Sequence, residues 1–198
     1  MTDQERLRKE LASCPGRPFS GNCFRVVELE AYRKSKTPTL LFDLGPKIAK
    51  GGQRFSPPSD HRGLYISSEL ETAGAEFADG LHAWKKGDCP DHVAFKIKVK
   101  LASVLDLTDS SIRRKIKMSK ARITSAWQGY SDLNGGNWPV TWALGHEAFA
   151  SGRFDGIIFP STKLAEGTCL LVFTERLSAA KSHVIIFNHD GSVGERLP

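Results

Sequence analysis

The 198-residue chain has no long apolar run. No stretch approaches the roughly 20 residues that a membrane-spanning helix needs, so no membrane association is expected. The opening Met1-Thr2-Asp3-Gln4-Glu5-Arg6 is polar and mixed in charge. It lacks the apolar centre of a signal peptide, and a cytoplasmic protein is expected. Cysteine is scarce: Cys14, Cys23, Cys89 and Cys169 stand far apart, with no CxxC pair. They read as reduced, structural thiols rather than a disulfide framework. The six histidines fall in no ligand-like spacing, so no metal site is expected. GxGxxG, Walker A, GxSxG and HExxH are all missing, which removes the commonest nucleotide-binding, serine-hydrolase and zinc-peptidase patterns. Acidic residues are outnumbered, 22 against 28 basic ones, for a formal net charge of +6. This fits an anionic partner, whether nucleic acid, nucleotide or acidic protein, and equally a solvated basic surface.

What is present describes an ordinary globular chain. Apolar residues make up 40% and charged ones 25%. A chain of this length buries roughly 70% of its unfolded surface and needs no metal or disulfide to hold a core. Residues 3–12 read as a short charged helix, and 24–29 as a strand. Residues 34–53, rich in Lys, Pro and Gly, read mainly as loop. Gly63-Leu64-Tyr65-Ile66-Ser67 reads as a strand. Ser68 and Glu71 then have capping-box spacing before a helix running to about Trp84. The apolar face of that helix is Leu70, Ala73, Phe77 and Leu81, with Glu76 on or beside it. Val93, Phe95, Ile97 and Val99 alternate with Lys96, Lys98 and Lys100, the pattern of a half-buried strand. A further short extended piece is expected at 104–107, with Thr108 or Asp109 capping a helix from Ser110. A helix at 142–150 and strands at 156–159, 169–173 and 183–188 complete the reading. Short strands mixed with few helices indicate an α+β domain of mostly antiparallel strands rather than a doubly wound sheet. The basic stretch 113–122 could bind phosphates, although an exposed helical face is the commoner meaning of such a run.

Four segments in order carry more than any of them alone. They are Gly51-Gly52-Gln53-Arg54-Phe55-Ser56-Pro57-Pro58; Leu64-Tyr65-Ile66-Ser67 followed by Thr72-Ala73-Gly74-Ala75-Glu76-Phe77; Val104-Leu105-Asp106-Leu107-Thr108-Asp109; and Phe154-Asp155-Gly156-Ile157-Ile158-Phe159-Pro160-Ser161 with Leu170-Leu171-Val172-Phe173 after it. Together they resemble the RES-domain family, over roughly residues 24–173. The resemblance implies a fold like that of ADP-ribosyltransferases and action on NAD+, by hydrolysis, by phosphorolysis or by ADP-ribosylation of a protein. It also implies a toxin held by a separate antitoxin protein, with NAD+ as substrate and no cofactor. Carried over residue by residue, the naming arginine is Arg54, the glutamate Glu76 and the serine Ser161. Tyr65 and Arg25 match a family tyrosine and a second arginine. Gln53 interrupts the usual Gly-Gly-Arg run, and Phe55 stands where tryptophan is frequent. Residues 1–22 and 179–198 are expected as a helical extension and a C-terminal strand and tail flanking a domain at 23–178.

The residue types suit that chemistry. Breaking the nicotinamide–ribose bond develops positive charge on the ribose, which a fixed carboxylate stabilises, and Glu76 is the candidate. Arg54 and Arg25 are candidates to grip the pyrophosphate with paired charge-assisted hydrogen bonds. Tyr65 could stack on nicotinamide. Ser161 could hydrogen-bond the ribose or the amide; with no histidine at a recognisable spacing it is not expected to act as an acyl-type nucleophile. Taken singly, Glu76 and Arg54 would read as surface residues, Tyr65 as a core residue and Ser161 as a cap. Asp106 reads as structural, and Trp127, Trp138 and Trp142 as core or pocket wall. The reading from another class is a basic nucleic-acid-binding module; an inactive scaffold of the same fold is a third.

Overall fold

The structure is a computed structural model that describes residues 3–34, 52–58, 60–82, 89–127, 138–188 and 190–198. Seven strands form one mixed sheet: β1 (Arg17–Glu28), β2 (Gly63–Ser67), β3 (His92–Asp106), β4 (Gly156–Pro160), β5 (Thr168–Phe173), β6 (His183–Phe187) and β7 (Val193–Leu197). Among the described residues there are six α-helices: α1 (Asp3–Ala12), α2 (Leu29–Lys34), α3 (Leu70–His82), α4 (Ser110–Lys115), α5 (Lys120–Thr124) and α6 (Val140–Ala150). The strand order is β1-β2-β5-β4-β3-β6-β7, and β1 also pairs along β3, so five strands close into a ring. Only β3 and β4 run parallel; every other pairing is antiparallel. The α+β class expected from the sequence is what forms. None of the described helices is long and apolar enough to cross a membrane.

Strand alternation explains two cores. Tyr65, Ile157, Phe159, Leu171 and Phe173 face a core shared with α1, α4, α5 and α6. Their neighbours Leu64, Ile66, Ile158, Leu170 and Val172 face a second core shared with β1, β3 and β6. Strands β2, β4 and β5 are therefore covered on both faces, which is why they read as unbroken apolar runs while β3 alternates.

The strands and helices depart from the expected bounds in several places. Residues 104–106 are not a separate piece but the end of the 15-residue β3. There the strand turns from β6, which it pairs at 97–100, to β4, which it pairs at 104–106. Strand β1 starts at Arg17 rather than Phe24, because it follows β3 along nearly its whole length. Leu70 is half exposed, so the face of α3 that packs inward is carried by Thr72 and Ala73. The Ser68 hydroxyl donates to the Thr168 carbonyl at 3.1 Å and ties the start of α3 to β5. Helix α2, helix α5 and β7 were not expected, being short and without strong periodicity. The expected loop 34–53 and the end of the helix at Trp84 lie mostly outside the described residues.

The flanks are built into the same body. Leu7 and Leu11 of α1 are fully buried. The Arg8 guanidinium grips the buried Glu147 of α6 through both carboxylate oxygens, at 3.0 and 3.1 Å. Arg153 donates to the carbonyls of Ala12 and Cys14 at the end of α1. Half of the basic residues in the stretch 113–122 are engaged. Arg113 donates to the Leu107 and Thr108 carbonyls, and Lys117 and Arg122 pair with Glu10 and Asp3 of α1. Asp109 rather than Thr108 caps α4, its side chain accepting from the Ser111 amide at 2.7 Å.

Candidate active site

Arg54 sits at the tip of a tight turn. The backbones of Gln53 and Ser56 bond each other in both directions, at 2.8 and 3.1 Å, leaving Arg54 and Phe55 between them. The inserted Gln53 thus opens the turn. Gly52 precedes it at φ +71°, a left-handed conformation that glycine adopts without strain. Helix α6 holds the turn from behind. The Trp142 indole donates to the Gln53 carbonyl at 2.8 Å. Gly145 faces the Phe55 carbonyl so closely that any Cβ would collide with it. The Phe55 ring is fully buried and meets Phe159 edge-on at 4.8 Å. With the turn fixed, Arg54 Nη1 donates to the carbonyls of Ile123 (3.2 Å) and Ser125 (2.9 Å), capping the end of α5. Among the described residues its Nε and Nη2 make no hydrogen bond. Burial lowers the Arg54 pKa, and the Glu76 carboxylate nearby opposes that shift.

Glu76, in the middle of α3, is held on one oxygen. Its Oε1 accepts from the Ser161 hydroxyl at 2.6 Å, the Thr162 amide at 3.4 Å and the Cys169 thiol at 3.7 Å. Its Oε2 accepts no hydrogen bond among the described residues. Ser161 follows β4 directly, and its hydroxyl oxygen accepts from the amides of Lys163 (3.0 Å) and Leu164 (3.1 Å). The hydroxyl proton therefore points at Glu76, and the oxygen is taken by two backbone donors. This is a hydroxyl that fixes a carboxylate, not one poised to attack. Burial pushes the Cys169 thiol up to about 12, so it stays a neutral donor.

Tyr65 on β2 joins the two halves. Its hydroxyl accepts from the Phe55 amide at 3.0 Å and lies 3.0 Å from Ser56 Oγ, so it clamps the two residues that follow Arg54. Burial raises its pKa strongly, against the hydrogen bonds, and the phenol stays neutral. Arg25 on β1 is buried, and its Nη1 donates to the Tyr65 carbonyl at 2.7 Å. Strands β1 and β2 pair only at Phe24 and Ser67, and this bond extends their contact. The Arg25 Nε is buried with no partner among the described residues, and burial lowers its pKa to about 10.

The structure thus brings Tyr65 and Glu76 each into electrostatic range of Arg54, with Ser161 on Glu76 and Arg25 on the Tyr65 carbonyl. Sequence reasoning missed Asp60, His61 and His146. His61 is fully buried between Phe149 and Phe173, its ring stacked on Phe149 at 4.8 Å and edge-on to Phe173 at 5.0 Å. Its Nε2 lies 3.1 Å from Ser56 Oγ and its Nδ1 2.7 Å from Asp60. His146 lies 2.9 Å from the other Asp60 oxygen. An Asp-His dipeptide next to the Arg54 turn, with a histidine four residues after Trp142 on one helix, was the available signal.

A chain in the crystal structure of the M. tuberculosis MbcT-MbcA toxin-antitoxin complex matches with a TM-score of 0.67. The two are 18% identical, over 98% of this chain and 92% of that chain. At that identity the likeness speaks for the fold. No curated protein matches the chain. The RES-domain family model matches residues 24–193, well past the end at Phe173 read from the motifs and through β6, and the chain belongs to the RES-domain family.

Proposed function

We propose that this protein consumes NAD+ by cleaving the bond between nicotinamide and ribose. The observation that carries the reading is Glu76: a carboxylate anchored through Oε1 to Ser161, Thr162 and Cys169, with Oε2 left over, beside the Arg54 guanidinium. When the C–N bond breaks, its electron pair leaves with nicotinamide and positive charge develops on the ribose. A fixed, partly dehydrated carboxylate stabilises that charge without reorganising. Arg54 keeps Nε and Nη2, without partners among the described residues, for a pyrophosphate oxygen, and the Arg25 Nε, likewise without a described partner, is a further donor. Tyr65, its hydroxyl engaged by the Arg54 turn, offers its ring face to nicotinamide. Ser161 acts through Glu76.

Water or phosphate is the acceptor favoured here, since the described residues include no module for docking a protein target. Transfer to a protein side chain would use the same residues. The toxin-antitoxin context of the structural neighbour supports a separate antitoxin chain. Nucleic-acid binding is not favoured, because three of the six basic residues at 113–122 are engaged with α1 or with backbone carbonyls.

The test is NAD+ loss and nicotinamide release by the purified protein, with and without phosphate, beside Glu76→Gln. Glutamine keeps an acceptor for Ser161 but not the charge. Turnover should fall about 100- to 1,000-fold, the cost of removing a transition-state electrostatic partner. Phosphate dependence names the acceptor. No NAD+ loss by folded wild-type protein under either condition would sink the reading.

A further inference from the structure

The Tyr65 hydroxyl ends a chain of polar groups that runs from the candidate site to the surface. Tyr65 Oη, Ser56 Oγ, His61, Asp60 and His146 are linked at 3.0, 3.1, 2.7 and 2.9 Å. Burial disfavours the Asp60 charge, but hydrogen bonds from His146 and His61 outweigh it and hold Asp60 well below the usual carboxylate range. An ionised carboxylate only accepts, so both histidines present Nδ1–H to it. In the tautomer that gives Nδ1–H to Asp60, His61 keeps Nε2 as an acceptor, and the remaining protons follow. His61 Nε2 accepts from Ser56, Ser56 accepts from Tyr65, and Tyr65 accepts from the Phe55 amide. Every hydrogen in the chain points toward Asp60. A buried network whose members are all satisfied in one direction holds a single arrangement. Here it holds the turn that carries Arg54.

We propose that Ser56, His61 and Asp60 are positioning residues that lock Tyr65 and the Arg54 turn in place, and that His146, at the partly exposed end, is the group through which solvent pH reaches them. His146 faces Asp60 from the Arg54 segment, Glu147 beside it on α6, Arg8 from α1 and the Trp138 ring at 5.5 Å. The hydrogen bond to Asp60 raises its pKa, while burial and Arg8 oppose that. The lock is tightest with His146 charged and loosens as pH rises through the raised value. The catalytic consequence rests on the NAD+ reading above; the lock itself does not.

The Trp142 indole N–H donates to the Gln53 carbonyl and so reports the turn directly. Its hydrogen-exchange protection, followed by NMR on the full chain from about pH 5 to about pH 9, brackets the ordinary histidine range. Protection in the wild type should fall about fivefold across the His146 titration, the upper end for a partly exposed ion pair. His146→Asn keeps a donor to Asp60 without a charge and should lose the pH step while keeping the fold. Asp60→Asn should lose about tenfold of the protection below the His146 titration, the size of a charge-assisted hydrogen bond, and should show no pH step. In both variants the KM for NAD+ should follow the indole, since Arg54 binds the substrate. Should Asp60→Asn fail to fold, Ser56→Ala cuts the chain at its centre by one hydroxyl and should show the same loss. Unchanged indole protection in Asp60→Asn or Ser56→Ala, or a pH step that persists in His146→Asn, would overturn the proposal. Wild-type protein that shows the indole behaviour but leaves NAD+ intact would keep the lock and remove the NAD+ reading.

Discussion

Replacing Ser161 with alanine separates a positioning hydroxyl from a reacting one. The side chain donates to Glu76 Oε1 at 2.6 Å and accepts from two backbone amides at 3.0 and 3.1 Å. Losing a hydrogen bond to a charged group costs about 1.5–3 kcal/mol. Freeing the amides of Lys163 and Leu164 costs about 1 kcal/mol, as for a lost helix cap. The total is about 3 kcal/mol, which in a chain of this length lowers Tm by about 6–12 °C. Glu76 then keeps only the long contacts to Thr162 and Cys169, and a displacement near 1 Å slows a reaction by about 100-fold. Ser161→Ala should therefore turn over NAD+ about 100-fold slower than wild type but measurably. Adding it to Glu76→Gln should cost little more, because the serine acts through the glutamate. The assay is kcat for NAD+ in the two single variants and the double, with calorimetric Tm for each. Turnover at background in Ser161→Ala with an unmoved Tm would refute the argument, because the hydroxyl would then be doing chemistry rather than holding a carboxylate.

Gly145→Ala places a methyl group against the Phe55 carbonyl and should push the Arg54 turn off α6. The expected cost is about 1–3 kcal/mol by thermal melting, with a rise in KM for NAD+. Thiol labelling of the native protein should modify Cys89 alone, since Cys14, Cys23 and Cys169 are buried and burial pushes all three thiols up, Cys23 and Cys169 to about 12. Mass spectrometry should read one adduct natively and four after unfolding. Stability should have a plateau bounded on both sides by the Asp60–His146 pair. The depressed Asp60 contributes above its unfolded value of about 3.9 and loses that as pH falls through its folded value. The raised His146 contributes below about 6.5 and loses that as pH rises through its folded value. Tm against pH in Asp60→Asn should lack both edges.

Much of this protein is legible in its sequence because the signals are local. Alternation along 93–100 marks β3, and the unbroken apolar runs at 156–159 and 169–173 mark strands covered on both faces. Three of the four ordered segments carry Arg54, Tyr65, Glu76 and Ser161. What the sequence could not state is which partner each polar side chain takes. In the site those partners are 10 to 85 residues away, so only the closed sheet decides them: Ser161 on Glu76, Tyr65 on the Phe55 amide, Arg25 on the Tyr65 carbonyl. The same closure drew residues 17–23 and 193–197 into the sheet, although neither has a pattern stronger than its neighbours. His61 shows the limit most clearly. In the sequence it is one histidine in no ligand-like spacing; in the fold, two phenylalanine rings and Asp60 settle its orientation, and through Ser56 it settles that of Tyr65. Local periodicity encodes which faces are dry, whereas the direction of a buried hydrogen bond is set by whatever group the rest of the chain brings to its other end.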